Sequence, residues 1–500
     1  MSIRKSLAWT FAGQGLFFVI QYAGSVVLAR LLGPQDMGVY AIALSTIGIL
    51  ALLNTWGLFG YVVREDDLTP ARFGTACIVN GALAVSIALA TWLTAYPVGS
   101  WMRSDGVTRV MQVLAIASLI GALEFPSSSL LWREKRFRAI AIVQVLRAVT
   151  TAAMTIALAL RGWSFMSLAW GTIAGNLVGL VCLTLAARPL GRLALTVSAW
   201  REVTRFGSKM AVMIGIVSLA GRAPEFILGR MMGLASVGLY NRASSLLDQA
   251  RDNVYNSLTH VLVPSLAELN RKRIDLAPHY RRALALITGL FWPAFGGLAL
   301  LAAPLIHLIY GPQWLPAAPV LAMLCAAQMV HIALSMTWEL FVIKDEVGRQ
   351  IRIELVRAVF LVGCFLLGAT VGLEAAAASR IVEAIVAIAL YAPHMRRMTG
   401  LAYRDFAVVW GKGLVLLAAT LVGPALLMQR AHWRSDVGAA YLGACIAAGI
   451  AGWLCAVLVM RHPLADELGR TLGALRARLP RPGKRGQPRT EASCTLSPGA

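Results

Sequence analysis

The sequence has few charged residues, and acidic residues are about half as frequent as basic ones. Only 14% of the 500 residues are charged, with 24 Asp and Glu against 46 Lys and Arg, and the mean hydropathy is +0.69. A soluble chain of this length would form several domains with far more charge on their surfaces. Apolar runs of about 20 residues, each long enough to cross a bilayer core, recur from end to end. We therefore predict an all-α, polytopic integral membrane protein.

Motifs for metal binding and redox chemistry are also missing. The seven cysteines are scattered without a CxxC pair, so they indicate packing residues rather than a disulfide framework or a metal site. The net charge of +22 comes from basic residues in short clusters between apolar runs. That distribution is typical of membrane topology rather than of a polyanion-binding surface. We expect no cofactor, no metal and no nucleic-acid partner.

Hydropathy predicts about fourteen membrane spans joined by short loops. The eighth span contains "NRASSLLDQARDNVYNSL" (241–258), which is unusually polar. Hydrocarbon cannot solvate such a segment, so we expect it to line a wet cavity. The predicted spans are 6–29, 38–63, 73–96, 107–131, 139–161, 163–187, 206–230, 238–262, 283–309, 318–343, 351–371, 374–394, 408–428 and 437–460.

The charge distribution predicts the orientation of the chain. Basic residues concentrate in the loops that lie inside when the N-terminus is cytoplasmic, as the positive-inside rule requires. Without the polar eighth span, the basic loop Arg271–Arg282 would lie outside and every later loop would be inverted. We therefore predict that both termini are cytoplasmic. The first apolar run has no clear cleavage site, so we interpret it as an uncleaved span.

One short motif occurs twice, 200 residues apart. "ARLLGPQDMGVY" (29–40) follows the first apolar run and "GRMMGLASVGLY" (229–240) follows the seventh. Six spans separate the copies, so both halves cross the membrane in the same direction and share a cleft. Glycine suits tight turns and close helix contact, while Arg and Tyr suit the membrane interface. The matched residues are Arg30 and Arg230, Gly33 and Gly233, Gly38 and Gly238, and Tyr40 and Tyr240.

The same offset aligns Gly24 in the first span with Pro224 in the seventh. Proline removes a helix N–H and clashes with a carbonyl one turn back, and glycine softens a helix. Paired interruptions in two halves predict moving hinges that line a transport site. The alternative is the ordinary tolerance of membrane helices for Gly and Pro.

Several stretches resemble the polysaccharide branch of the multidrug/oligosaccharidyl-lipid/polysaccharide flippase superfamily, which includes bacterial flippases of O-antigen and exopolysaccharide repeat units. The resemblance covers about residues 1–460. The stretches are "VVLARLLGPQDMGVYAIA", "LLWREKRFRAIAIVQVLRA", "RGWSFMSLAWGTIAGN", "RFGSKM", "ILGRMMGLASVGLYNRA" and "YGPQWLPAAPVLAMLC".

The resemblance implies two parallel six-helix lobes around a central cavity, which we assign to residues 1–190 and 191–400. It also implies two additional helices, at 401–460, and we predict a basic, partly disordered cytoplasmic tail at 461–500. The implied function is alternating-access export of an undecaprenyl-diphosphate-linked oligosaccharide across the bacterial inner membrane. Membrane lipids are expected partners, and the polysaccharide polymerase and export machinery are candidate ones. Many relatives carry an aspartate where this chain has Glu225.

Charged residues deep in the predicted spans are the candidates for function, because an ionised group there is costly. Arginine suits a diphosphate, since its planar fork donates two parallel hydrogen bonds. The substrate-binding candidates are Arg147, Arg222, Arg242, Arg251, Gln21 and Tyr22, and the candidates for coupling or charge pairing are Glu225, Asp248 and Asp252. Pairing within one helix is the default expectation for Asp248 with Arg251, Glu354 with Arg357, and Arg380 with Glu383.

Two other functions remain open at this point. A multidrug antiporter of the same fold would favour an acidic cavity for cationic substrates, whereas the deep charges here are mainly basic. An integral-membrane glycosyltransferase or polymerase would act on the same lipid. The short loops and the lack of a DxD motif argue against this enzyme.

Overall fold

A computed structural model describes residues 3–51, 58–65, 68–187, 218–467 and 469–470. Within these ranges the chain is almost entirely helical and contains no strand. The start of the predicted seventh span and the tail after residue 470 lie outside the described residues. We number the helices α1 to α17, with α8 denoting the helical residues 218–232.

The helices follow the predicted spans closely in order and position. Short connections of a few residues join most of them, as the sequence predicts. The other bounds are α1 Ile3–Leu31, α2 Pro34–Leu50, α3 Leu58–Arg64, α4 Pro70–Trp101, α5 Asp105–Arg133, α6 Phe137–Leu160, α7 Met166–Ala187, α9 Leu234–Arg271, α10 Ala277–Leu300, α11 Ala302–Tyr310, α12 Ala317–Ile332, α13 Thr337–Ile343, α14 Val347–Val371, α15 Leu373–Thr399, α16 Tyr403–Arg430 and α17 Ala439–Val459.

Within the described residues, ten helical segments are long and apolar enough to cross a membrane by length and composition. They are α4 to α7, α10, α12 together with α13, and α14 to α17. The polar α9 is not among them, although its 38 residues would extend about 57 Å. The protein is therefore a multi-pass membrane protein, and the count of fourteen stays a prediction for the four remaining segments.

Two predicted spans are broken, which the hydropathy pattern did not indicate. The predicted span 283–309 is divided at Leu301 into α10 and α11. The predicted span 318–343 is divided between α12 and α13, where Met336 has a positive φ of 61°. The hydroxyl of Tyr280 donates to the carbonyl of Ser335 (2.8 Å), and the hydroxyl of Tyr255 accepts from the amide of Met336 (3.2 Å). Partners from α9 and α10 thus satisfy backbone groups that the break leaves without helical bonds.

The predicted hinge positions do not interrupt their helices in this conformation. Both α1 at Gly24 and α8 at Pro224 continue as helix on either side of the residue. A Cβ atom at Gly24 would lie 3.2 Å from the Cβ of Ala152 on α6, so this glycine allows close packing. Both helices are continuous in this conformation, and the hinge role stays a prediction.

The helices pack mainly within each half of the chain. In the N-terminal half α1 packs on α6, and α7 packs on both α5 and α6. In the C-terminal half α15 packs on α12 and α14, while α16 lies between α10 and α17. The main contact between the halves joins α2 to α9. The lobe boundaries at 190 and 400 remain predictions.

The duplicated motif forms the crossing of α2 and α9. A Cβ at Gly38 would lie 1.8 Å from the carbonyl oxygen of Leu234, and a Cβ at Gly238 would lie 1.9 Å from that of Pro34. Each glycine therefore contacts the position that lies four residues before the other glycine, 34 or 234, and the contact is reciprocal. Only glycine permits this approach of two backbones. Gly233 also needs glycine because its φ is +85°, whereas its counterpart Gly33 has a φ of −77°.

Candidate functional site

A central cavity of about 560 Å³ lies between the two halves, bounded by α1, α2, α6, α7, α8 and α9. Seven residues that the sequence analysis identified line this cavity, and they come from α1, α2, α6, α8 and α9. They are Gln21, Gly24, Tyr40, Arg147, Arg222, Glu225 and Arg242. Among the described residues, three arginines and one glutamate are the charged residues of this lining, so this part of the cavity wall is basic.

Arg147 is held by a partner that sequence spacing could not reveal. Its Nη2 lies 2.7 Å from Oε1 of Glu124 on α5, which is 23 residues away in the chain. Its Nε is buried and has no hydrogen-bond partner among the described residues. Arg147 is therefore an ion-paired cation with donor capacity left over at the cavity wall.

A glycine ladder on α7 positions Arg147. Gly171, Gly175 and Gly179 are spaced by four residues and face α6. A Cβ at Gly171 or Gly175 would lie 1.9 Å from a threonine hydroxyl of α6, and a Cβ at Gly179 would lie 2.3 Å from Arg147 Nη2. The small-xxx-small spacing lets α6 and α7 approach closely and leaves room for the guanidinium. This GxxxGxxxG pattern was a readable signal that the sequence analysis missed.

Arg222 and Glu225 both contact α2 rather than pairing with each other. Glu225 accepts a hydrogen bond from the Ser45 hydroxyl (2.6 Å) and one from the Asn241 amide (3.2 Å). Arg222 Nη1 lies 3.4 Å from the same hydroxyl, and its guanidinium lies over Gly48, where a Cβ would be 2.4 Å away. The glutamate is satisfied by neutral donors, so Arg222 keeps most of its donors for another anion.

Arg242 connects the two halves near the duplicated motif. Its guanidinium donates to the Ser25 hydroxyl (2.6 Å) and lies 5.0 Å from the ring centre of Tyr310 and 5.3 Å from that of Trp314. Trp314 in turn donates to the carbonyl of Ala29 at 2.7 Å. Cation–π contacts of this kind hold a buried guanidinium without neutralising it. The short GPQW segment after α11 thus fastens the end of α1 to the C-terminal half.

The outer motif arginines differ in their contacts. Arg30 donates to the backbone carbonyls of Leu308 and Ile309 at the end of α11. Arg230 is exposed. Tyr40 hydrogen-bonds Thr172 (2.9 Å), whereas Tyr240 packs edge-on against Phe365. The motif is therefore symmetric in its glycine contact and asymmetric in its side chains.

A second, polar cavity of about 260 Å³ lies in the C-terminal half, among α8, α9, α12 and α15. The predicted residues Asp248 and Arg251 line it, together with Gln328, His331 and Arg380. Arg251 is paired with Asp248 (3.2 Å) and with Asp252 (2.8 Å). Glu225, Asn241 and Ser245 line both cavities. The polar face of α9 therefore lines both cavities, as its composition predicted.

The expected ion pairs form, and two of them join into one network beside the second cavity. Arg357 contacts Glu354 (2.7 Å) and Glu383 (2.7 Å). Glu383, whose side chain is 2% exposed, also contacts Arg380 (3.4 Å). The Tyr391 hydroxyl donates to Glu354 at 2.5 Å. Sequence spacing predicted the pairs within each helix but not the bridge between α14 and α15.

A third cavity of about 660 Å³ lies within the N-terminal half and shares Arg147 and Phe17 with the central cavity. Gln144 and Trp132 also line it. Trp132 is held by edge contacts with Phe59 and Phe137, at 6.0 and 5.7 Å between ring centres. The sequence analysis missed Trp132. Of the predicted contacts, Tyr22 lines none of these three cavities and instead stacks on Phe18 at 6.3 Å.

Comparisons with known proteins agree with this architecture. The profile of a family described as polysaccharide biosynthesis protein matches residues 27–319. The chain is 25% identical over 335 residues to the succinoglycan biosynthesis transport protein ExoT of Rhizobium meliloti, covering 65% of this chain and 66% of that protein. It is 21% identical over 434 residues to the lipopolysaccharide biosynthesis protein WzxC of Escherichia coli, covering 84% and 87%.

One solved structure with a similar fold is that of the lipid II flippase MurJ in an inward closed conformation. The TM-score is 0.69 at 10% sequence identity, and the match covers 91% of this chain and 99% of that one. At this identity the likeness concerns the fold alone.

Proposed function

The chain belongs to the polysaccharide biosynthesis protein family, and from that premise we propose that it is a flippase. Its cargo would be an oligosaccharide repeat unit linked to a polyprenyl diphosphate, moved across the bacterial inner membrane for surface polysaccharide synthesis. The chain is a transporter rather than an enzyme. The transport names of ExoT and the flippase MurJ, and the biosynthetic name of WzxC, support this assignment.

The observation that carries the proposal is the convergence of Arg147, Arg222 and Arg242 on one cavity between the halves. A diphosphate loses hydration when it leaves water, and charge-assisted hydrogen bonds from guanidinium groups offset that loss. Arg147 belongs to the N-terminal half, while Arg222 and Arg242 belong to the C-terminal half. The anion would therefore be held between elements that move relative to one another, while the prenyl tail stays in lipid.

The sugar part of the cargo would extend into the third cavity, within the N-terminal half. That cavity adjoins the central one at Arg147 and presents Trp132 and Gln144. A sugar ring has both apolar and hydroxyl surfaces. An aromatic side chain can pack on the apolar surface, and an amide side chain can hydrogen-bond the hydroxyls. Gln21 in the central cavity adds another amide near the diphosphate position.

We infer that transport proceeds by alternating access, with Gly24 and Pro224 as hinges. The contacts of α2 with α9 and of α1 with the GPQW segment would close the outer side, on the predicted orientation with both termini cytoplasmic. Opening that side would require the Gly38–Gly238 crossing to separate. Glu225 and Asp248 are the carboxylates placed to couple transport to a proton or Na⁺ gradient, with Asp252 further along α9.

The two alternatives are less well supported. A multidrug antiporter for cations would be opposed by the net positive lining of the central cavity. A glycosyltransferase or polymerase would need new glycosidic bonds to form on the lipid carrier. Family and relatives instead point to transport.

The test is translocation by purified protein in vesicles that contain a lipid-linked oligosaccharide. Enzymatic accessibility of the sugar at the vesicle exterior reports movement, and mass analysis reports bond formation. We expect the sugar to change leaflet with its mass unchanged. Lengthened oligosaccharide would support the enzyme, and extrusion of organic cations without sugar movement would support the antiporter.

A further inference from the structure

A basic pocket of about 340 Å³ lies at the end of the molecule where α10 and α16 begin and α17 ends. None of its residues lines the central cavity. In the part of the chain that the structure describes, Arg281 and Arg282 of α10 and Lys412 of α16 supply three cations to the lining, and Asp466 supplies one carboxylate. The remaining wall is apolar, formed by Pro278, Ala285, Val408, Val409 and Pro463. This basic pocket thus combines cationic heads with an apolar surface.

The three cations differ in how fully they are neutralised. Arg282 contacts Glu467 (2.9 Å) and lies 4.0 Å from Asp466, and Arg281 lies 3.4 Å from Asp405. For Lys412 the described residues include no acid within 4 Å. Lys412 lies nine residues into α16, about 13 Å from its first residue. An ammonium at that depth needs either a path to water or a counter-anion.

Contacts between α10 and the end of α17 support the wall of the pocket that Pro463 and Asp466 supply. Trp453 donates to the carbonyl of Gly289 (2.9 Å), and His462 packs on the same glycine. These contacts fix the end of α17 against α10. Burial, together with the nearby Lys412, lowers the pKa of His462 to about 4, so its ring carries no charge at neutral pH. The guanidinium of Arg396 lies 5.0 Å from the ring centre of Tyr403, a residue type that is enriched at membrane–water interfaces.

We propose that the basic pocket binds the phosphate of an anionic phospholipid of the inner leaflet. Basic pockets between membrane helices on the cytoplasmic side are suited to such headgroups. Lys412 would contact the phosphate from the membrane side, and Arg281 and Arg282 would contact it from the water side. The acyl chains would lie on the exposed apolar surface of α16, where Val408 and Val415 are about half exposed. This site is independent of the proposed transport function.

The test measures lipid retention by the purified full-length chain. Native mass spectrometry would compare phosphatidylglycerol with phosphatidylethanolamine at equal concentration, for the wild type and for Lys412→Gln. We expect the wild type to retain phosphatidylglycerol preferentially, and Lys412→Gln to weaken that retention about fivefold. Arg281→Gln should weaken it similarly, which keeps the test decisive if one variant folds poorly. Arg404→Gln is the matched control, because Arg404 is an exposed cation on the same end of α16 outside the pocket.

Three results would overturn the proposal. The first is equal retention of the two lipids by the wild type, and the second is equal loss of phosphatidylglycerol in Lys412→Gln and Arg404→Gln. The third concerns the source of the phosphate. Inorganic phosphate or pyrophosphate that raises the melting temperature as much as phosphatidylglycerol, through Lys412, would identify a site for free anions instead of lipid.

Discussion

Arg222 and Glu225 lie less than one helical turn apart on α8, and both contact Ser45 of α2 without forming an ion pair with each other. The carboxylate takes its hydrogen bonds from Ser45 and Asn241, and the guanidinium lies over Gly48. Removing Arg222 therefore leaves Glu225 with both of its neutral donors. Function and structural support can be separated at this position, which would be impossible in a simple ion pair.

The first prediction follows from this arrangement. Arg222→Ala should reduce export by about tenfold or more, since charge-assisted hydrogen bonds contribute about 1.5–3 kcal/mol each. Arg222→Lys should restore part of the activity because it returns the charge without the fork. Surface polysaccharide and the amount of protein in the membrane would be measured together. Normal polysaccharide in Arg222→Ala would remove this residue from the binding site.

Arg147 should behave differently, because its partner is a carboxylate. Arg147→Ala leaves Glu124, whose side chain is 12% exposed, without its cation. We expect a loss of about 1–3 kcal/mol of stability as well as loss of export. In Arg147→Met with Glu124→Gln the melting temperature should recover while export stays low. Glu124→Gln alone is the control, since it keeps the guanidinium. Recovery of export in the double variant would show that Arg147 serves only to pair Glu124.

At the scale of elements, the crossing of α2 and α9 is the contact most sensitive to a single methyl group. A Cβ at Gly38 or Gly238 would overlap a backbone carbonyl, and a backbone cannot move aside as a side chain can. Gly38→Ala and Gly238→Ala should therefore weaken the outer contact and favour the outward-open state. Thr151 lines the central cavity. A cysteine in its place should react several-fold faster with an impermeant thiol reagent added outside when either glycine is replaced by alanine than when both are present.

Gly33→Ala is the matched control for that measurement. Gly33 belongs to the same motif, but a Cβ there meets nothing within 4 Å and its φ is −77°. We expect unchanged labelling in this variant. Equal labelling of the wild type and both crossing variants would show that the glycine contact does not hold the outer side closed.

The sequence was informative about elements whose signal is local. Apolar runs predicted the order of the helices, and the polarity of α9 predicted a cavity-lining helix. The 200-residue repeat predicted close helix contact at Gly38 and Gly238. The break at Met336 was missed because its support comes from Tyr255 and Tyr280 on other helices. A hydropathy window does not contain partners that are distant in the chain.

The candidate site was predictable in its residue types and less so in its contacts. Depth in a span identified Arg147 and Arg222 as unusual, the polarity of the eighth span added Arg242, and the structure places all three at one cavity. The partners were not predictable: Glu124 is 23 residues from Arg147, and Tyr310 is 68 residues from Arg242. Only the packing of helices brings such pairs together, so sequence spacing favoured pairs within one helix.

At the scale of the whole molecule, the orientation in the membrane depends on whether α9 crosses it. Residues 240–251, in the first half of α9, line the central cavity and the second cavity, which gives a polar helix the wet surroundings that lipid would deny it. If α9 crosses, the exposed Arg273 after it faces the cytoplasm, and the basic ends of later loops obey the positive-inside rule. Asp105, exposed at the start of α5, then faces outside.

The last prediction tests this orientation in a background free of the seven native cysteines. Asp105→Cys should react with an impermeant maleimide added to intact cells, and Arg273→Cys should react only after the membrane is opened. Both positions are exposed, so their difference in labelling reports the side of the membrane rather than burial. Strong labelling of Arg273→Cys in intact cells would mean that α9 does not cross. The helices from α10 onward would then run opposite to their counterparts in the N-terminal half, and the parallel arrangement inferred from the repeat would hold for α1 and α8 only.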